Sequence, residues 1–360
     1  MKILLISPYS RDANSFWRCM GPMNYLAKSS CGSITVETPP PGTQLAWDVI
    51  TRYDLIFMHR PCRRDDLIVM QIAKNANIPV WADYDDWLFH LPEWNPHKGA
   101  YNNPNMQSLI AHLTATADVI SVTTGALQKA LSKINDNVII VPNAYPSVML
   151  PWRANEPGPR KITYVWRGTA THDGDLLSVK EGLKSLHDTL HVCGDLPYAI
   201  KSEMDESQYK LIPHQDVLIY WQSIYQMAPK FMVFPLHDCF FNRCKSNIAW
   251  IEATHAGALT IAPDLPEWRQ PGVISFKPGD NDSFMNAIQI ANDLKEDDRK
   301  DHVAKAFTYI KETYDITVIN EIRRKLCSAL LSSDFKKNTK SPYDSAVGLW
   351  ALSQLKKVDE

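Results

Sequence analysis

Residues 241–257, Phe-Asn-Arg-Cys-Lys-Ser-Asn-Ile-Ala-Trp-Ile-Glu-Ala-Thr-His-Ala-Gly, run a polar, basic loop into an apolar helix whose single charge is Glu252. A strand-like run at 231–236 precedes the loop and another at 258–262 follows the helix, so the order is strand, loop, helix, strand. Ser246 or Asn247 can cap the helix, whose free N–H groups and positive dipole end attract an anion. Lys245 adds a full positive charge there. Glu252 follows seven residues later, on roughly the same face about 10 Å down the helix, and can accept hydrogen bonds from hydroxyl groups. Phosphate above and sugar hydroxyls below describe a nucleotide. The same spacing also suits a capped amphipathic helix with a solvated Glu252, and the pattern alone leaves both open.

A second constellation is Val80-Trp-Ala-Asp-Tyr-Asp-Asp-Trp-Leu-Phe, where an apolar strand ends in Asp83, Asp85 and Asp86. Open α/β sheets bind ligands at the carboxyl ends of their strands. Crowded carboxylates repel, which can raise one pKa and leave a group able to take a proton from an acceptor hydroxyl. Asp85 is the leading candidate base, with Asp83 and Asp86 behind it; pairing of these acids with Arg60, Arg63 or Arg64 is the structural alternative. Arg167-Gly-Thr-Ala-Thr-His-Asp-Gly-Asp follows another strand. There Arg167 can grip phosphate oxygens in a forked geometry, Gly168 lets backbone approach, and Thr169 adds a hydroxyl. Arg167 paired with Asp173 or Asp175, and His172 as a plain surface residue, fit the same segment. Ser10-Arg11 and Phe16-Trp17-Arg18 follow the first strand and can stack on or bind a sugar or base, or simply pack. His59 ends another strand, and Trp87, Phe89, Trp94 and Tyr101 can shape an acceptor site.

These residues need strand tips to hold them. Apolar runs at 1–7, 55–58, 80–82, 119–122 and 138–141 alternate with helix-like segments near 16–28, 64–76, 105–116 and 124–133, the pattern of a parallel sheet. This gives a Rossmann-like domain over 1–145. Residues 146–160, rich in proline, read as an interdomain linker. A second domain over 161–332 carries strand candidates at 162–166, 189–193, 217–220, 230–234, 259–262 and 273–276, then helical segments at 282–314 and 316–332. A polar stretch at 333–342 precedes a last amphipathic helix at about 344–356, so 333–360 is linker and terminal helix. With 360 residues, 45% hydrophobic and 22% charged, the chain can fill two cores. The formal net charge of −2 excludes a global nucleic-acid-binding field while leaving room for a local basic cleft. Seven cysteines without a paired CxxC arrangement suggest neither a disulfide framework nor structural zinc and fit a reducing cytoplasm. No apolar run approaches the about 20 residues of a membrane span.

The segment from Asn242 through Lys245, Ser246 and Glu252 to Ala256-Gly257-Ala258 resembles the donor-nucleotide segment of GT-B glycosyltransferases, especially the retaining family 4-like group. Ile140-Val-Pro-Asn-Ala resembles the segment that closes their N-terminal domain, and Ile162-Thr-Tyr-Val-Trp-Arg-Gly-Thr the strand and loop that open their C-terminal one. The resemblance implies an α/β GT-B fold: two Rossmann-like domains with parallel sheets facing a central cleft, donor on the second and acceptor on the first. It further implies sugar transfer from a nucleotide-sugar to an acceptor hydroxyl. Arg167, Gly168, Thr169, His172, Asn242, Lys245, Ser246, Asn247 and Glu252 would hold the donor, and Ser10, Arg11, Arg18 and His59 the acceptor. In GT-B enzymes a C-terminal helix commonly crosses back to the first domain, which a terminal helix here would do. The placing of Asp85 is similar to that of a catalytic Asp in phage DNA glucosyltransferases. The expected acceptor is therefore a saccharide or glycoconjugate, or a hydroxylated pyrimidine of phage DNA, with the host cytoplasm as location if phage-encoded. Asp83-Tyr-Asp85 is formally the metal-holding DxD of GT-A enzymes, but the nucleotide features lie elsewhere, so no cofactor and no essential divalent metal is expected. One departure is Cys244, where the retaining family carries a second Glu eight positions before the helix Glu. It leaves the anomeric outcome open and gives weight to an alternative, a non-catalytic nucleotide-sugar binding or scaffold protein of the same fold.

Overall fold

Short apolar runs rich in Val, Ile, Leu and Phe become the strands of two six-stranded sheets, parallel throughout. The computed structural model describes residues 1–7, 13–40, 42–150 and 160–358. The first sheet contains β1 (Lys2–Ile6), β2 (Thr35–Glu37), β3 (Leu55–His59), β4 (Val80–Tyr84), β5 (Val119–Val122) and β6 (Val138–Ile140), in the order β2-β1-β3-β4-β5-β6. The second contains β7 (Ile162–Gly168), β8 (Leu190–Gly194), β9 (Tyr209–Ile212), β10 (Pro229–Val233), β11 (Leu259–Pro263) and β12 (Val273–Phe276), in the order β12-β11-β10-β7-β8-β9. Each order reverses once, between β1 and β3 in the first sheet and between β7 and β10 in the second. At such a switch point the two crossover connections leave in opposite directions and open a crevice above the strand tips.

Alternation along each strand feeds cores on both faces. Leu4, Ile56, Ala82 and Ile120 join one cluster, while Ile3, Leu5, Phe57, Trp81 and Val119 join the other. The second sheet likewise buries Tyr164, Trp166, Val192, Val233 and Ile261 on one side and Val165 and Met232 on the opposite one.

Four elements differ from the sequence expectation. Residues 217–220, expected as a strand, begin the helix Val217–Met227. Asp216 caps it by accepting from the Leu218 N–H at 3.0 Å, and Trp221 and Ile224 are buried while Leu218 and Ile219 face solvent, a helical rather than a strand period. The strand in that region is instead β9, whose Tyr-Lys-Leu-Ile is too polar to stand out, and the three-residue edge strand β2 escapes notice for its shortness. Finally, the chain leaves the second domain near Asp315, which bridges to Tyr145, rather than near 332. The helix Ile316–Leu330 packs on the first domain, where Cys327 and Leu330 join the cluster of Ile3 and Phe57, and Asn320 Nδ2 donates to Pro22 O at 2.8 Å. The last helix, Ser345–Leu355, also crosses back. Its Gly348 lies so close to the helix Pro104–Thr116 that a Cβ would stand 2.8 Å from Ser108 O. Of the expected linker 146–160, residues 151–159 lie outside the described residues.

Candidate functional site

On the first domain the parallel register sets His59, Asp83 and Ser121 side by side across β3, β4 and β5. All three share the strand face of Phe57, Trp81 and Val119, so Asp83 points into a core and not into solvent; it is 2% exposed. Arg18 meets it there. Residues Phe16–Met20 form a π-helical turn closed by Gly21 N–H donating to Phe16 O, a spot where a Cβ on Gly21 would lie 2.3 Å from that oxygen. The turn swings Arg18, fully buried, onto Asp83: Nε donates to Oδ1 at 3.0 Å and Nη2 to Oδ2 at 2.7 Å, while Nη1 donates to Val141 O at 2.6 Å and Asn143 Oδ1 at 3.2 Å. Ser121 Oγ donates to the same carboxylate. A buried, bidentate pair with a third donor on the carboxylate is a structural tie. Asp83 and Arg18, expected as base and acceptor contact, thus lie beneath the cleft floor.

Asp85 and Asp86 emerge one step further along. Arg60, held at a left-handed φ of 47° with its N–H donating to Asp83 O at 2.8 Å, turns its guanidinium onto both. Its Nε donates to Asp85 Oδ1, and Nη2 stands 3.5 Å from Asp86 Oδ2. His59, fully buried, holds Ser7 Oγ at 3.1 Å through Nδ1 and presents Nε2 3.8 Å from Asp85 Oδ1. The crowding argument therefore inverts. Burial alone would lift the Asp85 carboxyl, but Arg60 and His59 override it and hold Asp85 well below the usual carboxylate range, which leaves it a weak proton acceptor at neutral pH.

On the second domain, β7 ends in Arg167-Gly168, and the glycines at the tips of β7 and β8 pair in register. Gly194 has φ +131°, and a Cβ there would lie 1.9 Å from Gly168 O; a Cβ on Gly168 would meet Trp166 at 2.5 Å and His172 at 3.2 Å. This bare floor lets Arg167 and His172 reach the crevice beside β10. Arg167 does not pair with Asp173 or Asp175. Its Nε donates to Glu252 Oε2 at 2.7 Å, and Tyr220 Oη donates to the same oxygen at 3.2 Å. Burial raises the Glu252 pKa, and Arg167 only partly offsets it, whereas for Arg167 burial pulls the pKa down but Glu252 and Tyr220 together outweigh it and push it up. The pair as a whole gains little from its attraction, as buried pairs often do.

The loop after β10 closes the crevice. Lys245 Nζ sits 4.3 Å above the Phe241 ring and 3.7 Å from Asp86 Oδ1 of the opposite domain. The helix Ile248–His255 follows, but neither expected cap serves it: Asn247 Nδ2 donates to Tyr314 Oη at 3.1 Å, and Ser246 Oγ accepts from Asn143 Nδ2 at 2.9 Å, tying the two domains together. Asn242, 1% exposed, donates to Asp175 Oδ1 at 2.6 Å below the surface. Cys244 is fully buried among first-domain residues, its carbonyl accepting from Thr124 Oγ1 at 3.1 Å. Thr169 caps the short turn Ala170–His172.

A cleft of about 720 Å³ separates these walls. Arg60, Asp85 and Asp86 face Arg167, His172, Lys245 and Glu252 across it, with Gly168, Thr169 and Ser246 also lining it. Asp83, Arg18, His59, Asn242 and Asn247 lie behind it, and Ser10 and Arg11 lie outside the described residues. Of the expected acceptor aromatics, Tyr101 lines the cleft and Trp87 borders it from the core, whereas Phe89 is core alone. The sequence reading missed Tyr220 and Asp175; the Asp216 cap before an apolar run was the available signal for the first. Among the described residues no group of three or more His, Cys, Asp and Glu side chains is arranged to hold a metal ion. Also among them, no helix is long and apolar enough to cross a membrane.

The sequence matches no family model and no curated protein. The fold is similar to that of solved structures. HepE of Anabaena in complex with UDP-glucose superimposes with a TM-score of 0.63 at 14% identity, over 91% of this chain and 100% of that one. An alpha,alpha-trehalose-phosphate synthase (UDP-forming) from Burkholderia vietnamiensis gives 0.61 at 9% identity over 92% and 100%. A trehalose-6-phosphate structure from E. coli bound with UDP-2-fluoro glucose gives 0.60 at 11% over 92% and 99%. The chain has the GT-B glycosyltransferase fold.

Proposed function

We propose that the protein is a glycosyltransferase that moves a sugar from a nucleoside-diphosphate donor, of the uridine type carried by the similar structures, to the hydroxyl of a saccharide or glycoconjugate. The observation that carries this reading is the facing of two switch-point crevices across one cleft, with the cations Arg167 and Lys245 and the carboxylate Glu252 on the same wall. Cations suit the diphosphate, and a buried carboxylate that gains little from its own ion pair suits a ribose diol. Catalysis then rests on positioning the two substrates and on stabilising the departing diphosphate, which needs no divalent metal. The acceptor enters over Asp85, Asp86 and Tyr101. Those carboxylates would repel a polyphosphate backbone, so the hydroxylated pyrimidine of phage DNA gains no support from this wall.

Cys244, buried where the related pattern has a sugar-binding Glu, favours a second reading, a nucleotide-sugar binding protein without turnover. A panel of nucleotide sugars, followed by thermal shift and by release of nucleoside diphosphate with and without saccharide acceptors, separates the two. Stabilisation by UDP-sugars with acceptor-dependent release of UDP supports transfer. Stabilisation without release by any acceptor supports the binder, and no response to any nucleotide removes both.

A further inference from the structure

Asp175 is fully buried and accepts three hydrogen bonds: from the His237 N–H at 2.9 Å, from Asn242 Nδ2 at 2.6 Å, and, through Oδ2, from His172 Nδ1 at 2.9 Å. Oδ1 takes two N–H donors, and with Asp175 as a carboxylate Oδ2 can only accept, which sets the proton of His172 on Nδ1. Among the described residues the ion-pair partner of this buried anion is His172, a ring that carries charge only when protonated. His172 is itself fixed. Its ring packs edge-on against Trp166 and Phe234, at centroid distances of 6.4 and 5.3 Å, over the bare Gly168. With Nδ1–H committed to Asp175, Nε2 is the nitrogen left for a ligand in the cleft that His172 lines beside Arg167 and Lys245.

The charges that face the ring act in opposite directions. Burial holds the His172 pKa below its ordinary value, Lys245 and Arg167 push the same way, and Asp175 alone pulls it up. Nearby Cys239 stays a neutral thiol, since burial raises its pKa. Burial and the two cations therefore disfavour the protonated ring. A bound diphosphate would screen the two cations and add negative charge of its own, reversing the sum.

Resting on the donor reading above, we propose that His172 takes up a proton when a nucleoside diphosphate binds, and that the resulting imidazolium, positioned by Asp175, hydrogen-bonds through Nε2 to the diphosphate oxygen that leaves the sugar. In transfer, the bond from the anomeric carbon to that oxygen breaks with its electron pair going to the diphosphate. The acceptor oxygen bonds to the anomeric carbon and releases its proton to water, and no further reactant is required. His172 is then a catalytic residue at the leaving group, and Asp175 a positioning residue.

The test is calorimetric titration with UDP at about pH 7.5 in two buffers of different ionisation enthalpy, which counts protons exchanged on binding. UDP exchanges protons of its own, so His172→Gln, which keeps a polar side chain but cannot be charged, is the reference. Wild type should take up more protons than the variant and bind UDP about tenfold more tightly near pH 6.5, an advantage that shrinks as pH rises. Asp175→Asn, if its melting curve is cooperative, should show reduced uptake; full uptake in that variant would remove the role given to Asp175. Equal proton exchange in wild type and His172→Gln, with UDP bound by both, overturns the proposal and leaves the donor site standing. No UDP binding by wild type overturns the donor reading and this inference with it.

Discussion

Replacing Glu252 by Gln should separate stability from ligand recognition. The carboxylate Oε2 accepts from Arg167 Nε at 2.7 Å and from Tyr220 Oη at 3.2 Å, and a Gln carbonyl can keep both partners. What is lost is charge. Removing one partner of a buried ion pair usually costs about 3–5 kcal/mol, chiefly because the other charge is stranded. Two features cut that figure here. Burial already raises the Glu252 pKa, so ionising this carboxyl opposes folding, and Arg167 keeps 23% of its side chain exposed toward the cleft, where water can solvate it. The net change in unfolding free energy should be no more than about 1 kcal/mol. Ribose hydroxyls donating to a carboxylate contribute about 1.5–3 kcal/mol each, against about 0.5–1.5 for neutral bonds, so UDP affinity should fall about ten- to a hundredfold. Calorimetry with UDP and with 2′,3′-dideoxy-UDP closes the cycle. The dideoxy change should weaken binding strongly in wild type and little in Glu252→Gln. If it costs the same in both, Glu252 does not hold the ribose; if the variant fails to fold, the pair is worth more than the geometry allows.

Lys245→Ala and Arg167→Ala should each weaken UDP binding at least about tenfold by removing a charge-assisted phosphate contact, measured by the same titration. Asp85→Asn should destabilise the protein at neutral pH by about 2–3 kcal/mol, less than for a stranded buried charge because Asp86 remains 3.5 Å from Arg60. The sign with pH follows from its depressed pKa: the contribution of Asp85 is present above its unfolded value of 3.8 and lost as pH falls below it, so wild type and Asp85→Asn should converge in urea midpoint at low pH. Chelation should leave transfer within about twofold, since positioning and leaving-group stabilisation carry the rate; loss of activity restored by manganese would favour the DxD reading. Gly194→Ala should lower the melting temperature markedly, because its Cβ would stand 1.9 Å from Gly168 O at a φ of +131°.

The sequence made the strand tips legible and their facing illegible. Apolar runs bounded by polar loops place Arg167, Asp85 and Lys245 beside strand tips, and all three line the cleft, because open α/β sheets put such loops at one edge. Which side chain of a tip points outward is another matter. Alternation puts Asp83 on the face of Trp81, but a strand buried on both faces is apolar nearly throughout, so nothing in Val-Trp-Ala-Asp-Tyr says that this face is still buried at Asp83. Its partner Arg18 reaches it only through a π-helical turn, a geometry without a sequence signature of its own. The reading of 217–220 as a strand has a different origin: five apolar or aromatic residues in a row suit either element, and the deciding signal was the Asp216 cap.

Each strong charge of the cleft already has a companion: Arg60 lies on Asp85 and Asp86, Arg167 on Glu252, and Lys245 between Phe241 and Asp86. On the proposed reading a donor would enter by exchange and not by addition, its phosphates taking the place of carboxylates on the cations and its hydroxyls taking up the carboxylate so freed. Exchange costs less reorganisation than filling a bare cationic pocket, since burying unpaired charge would destabilise the empty fold by several kcal/mol per ion. It also lets a chain with a net charge of −2 hold Arg167 and Lys245 side by side on one wall of the cleft. The contact from Lys245 to Asp86 spans both domains, as does that from Asn143 to Ser246. Under the proposed donor reading, a phosphate that drew Lys245 from Asp86 would leave Asp86 with Arg60 alone, and occupation of the donor side would then alter the charge that an incoming acceptor meets.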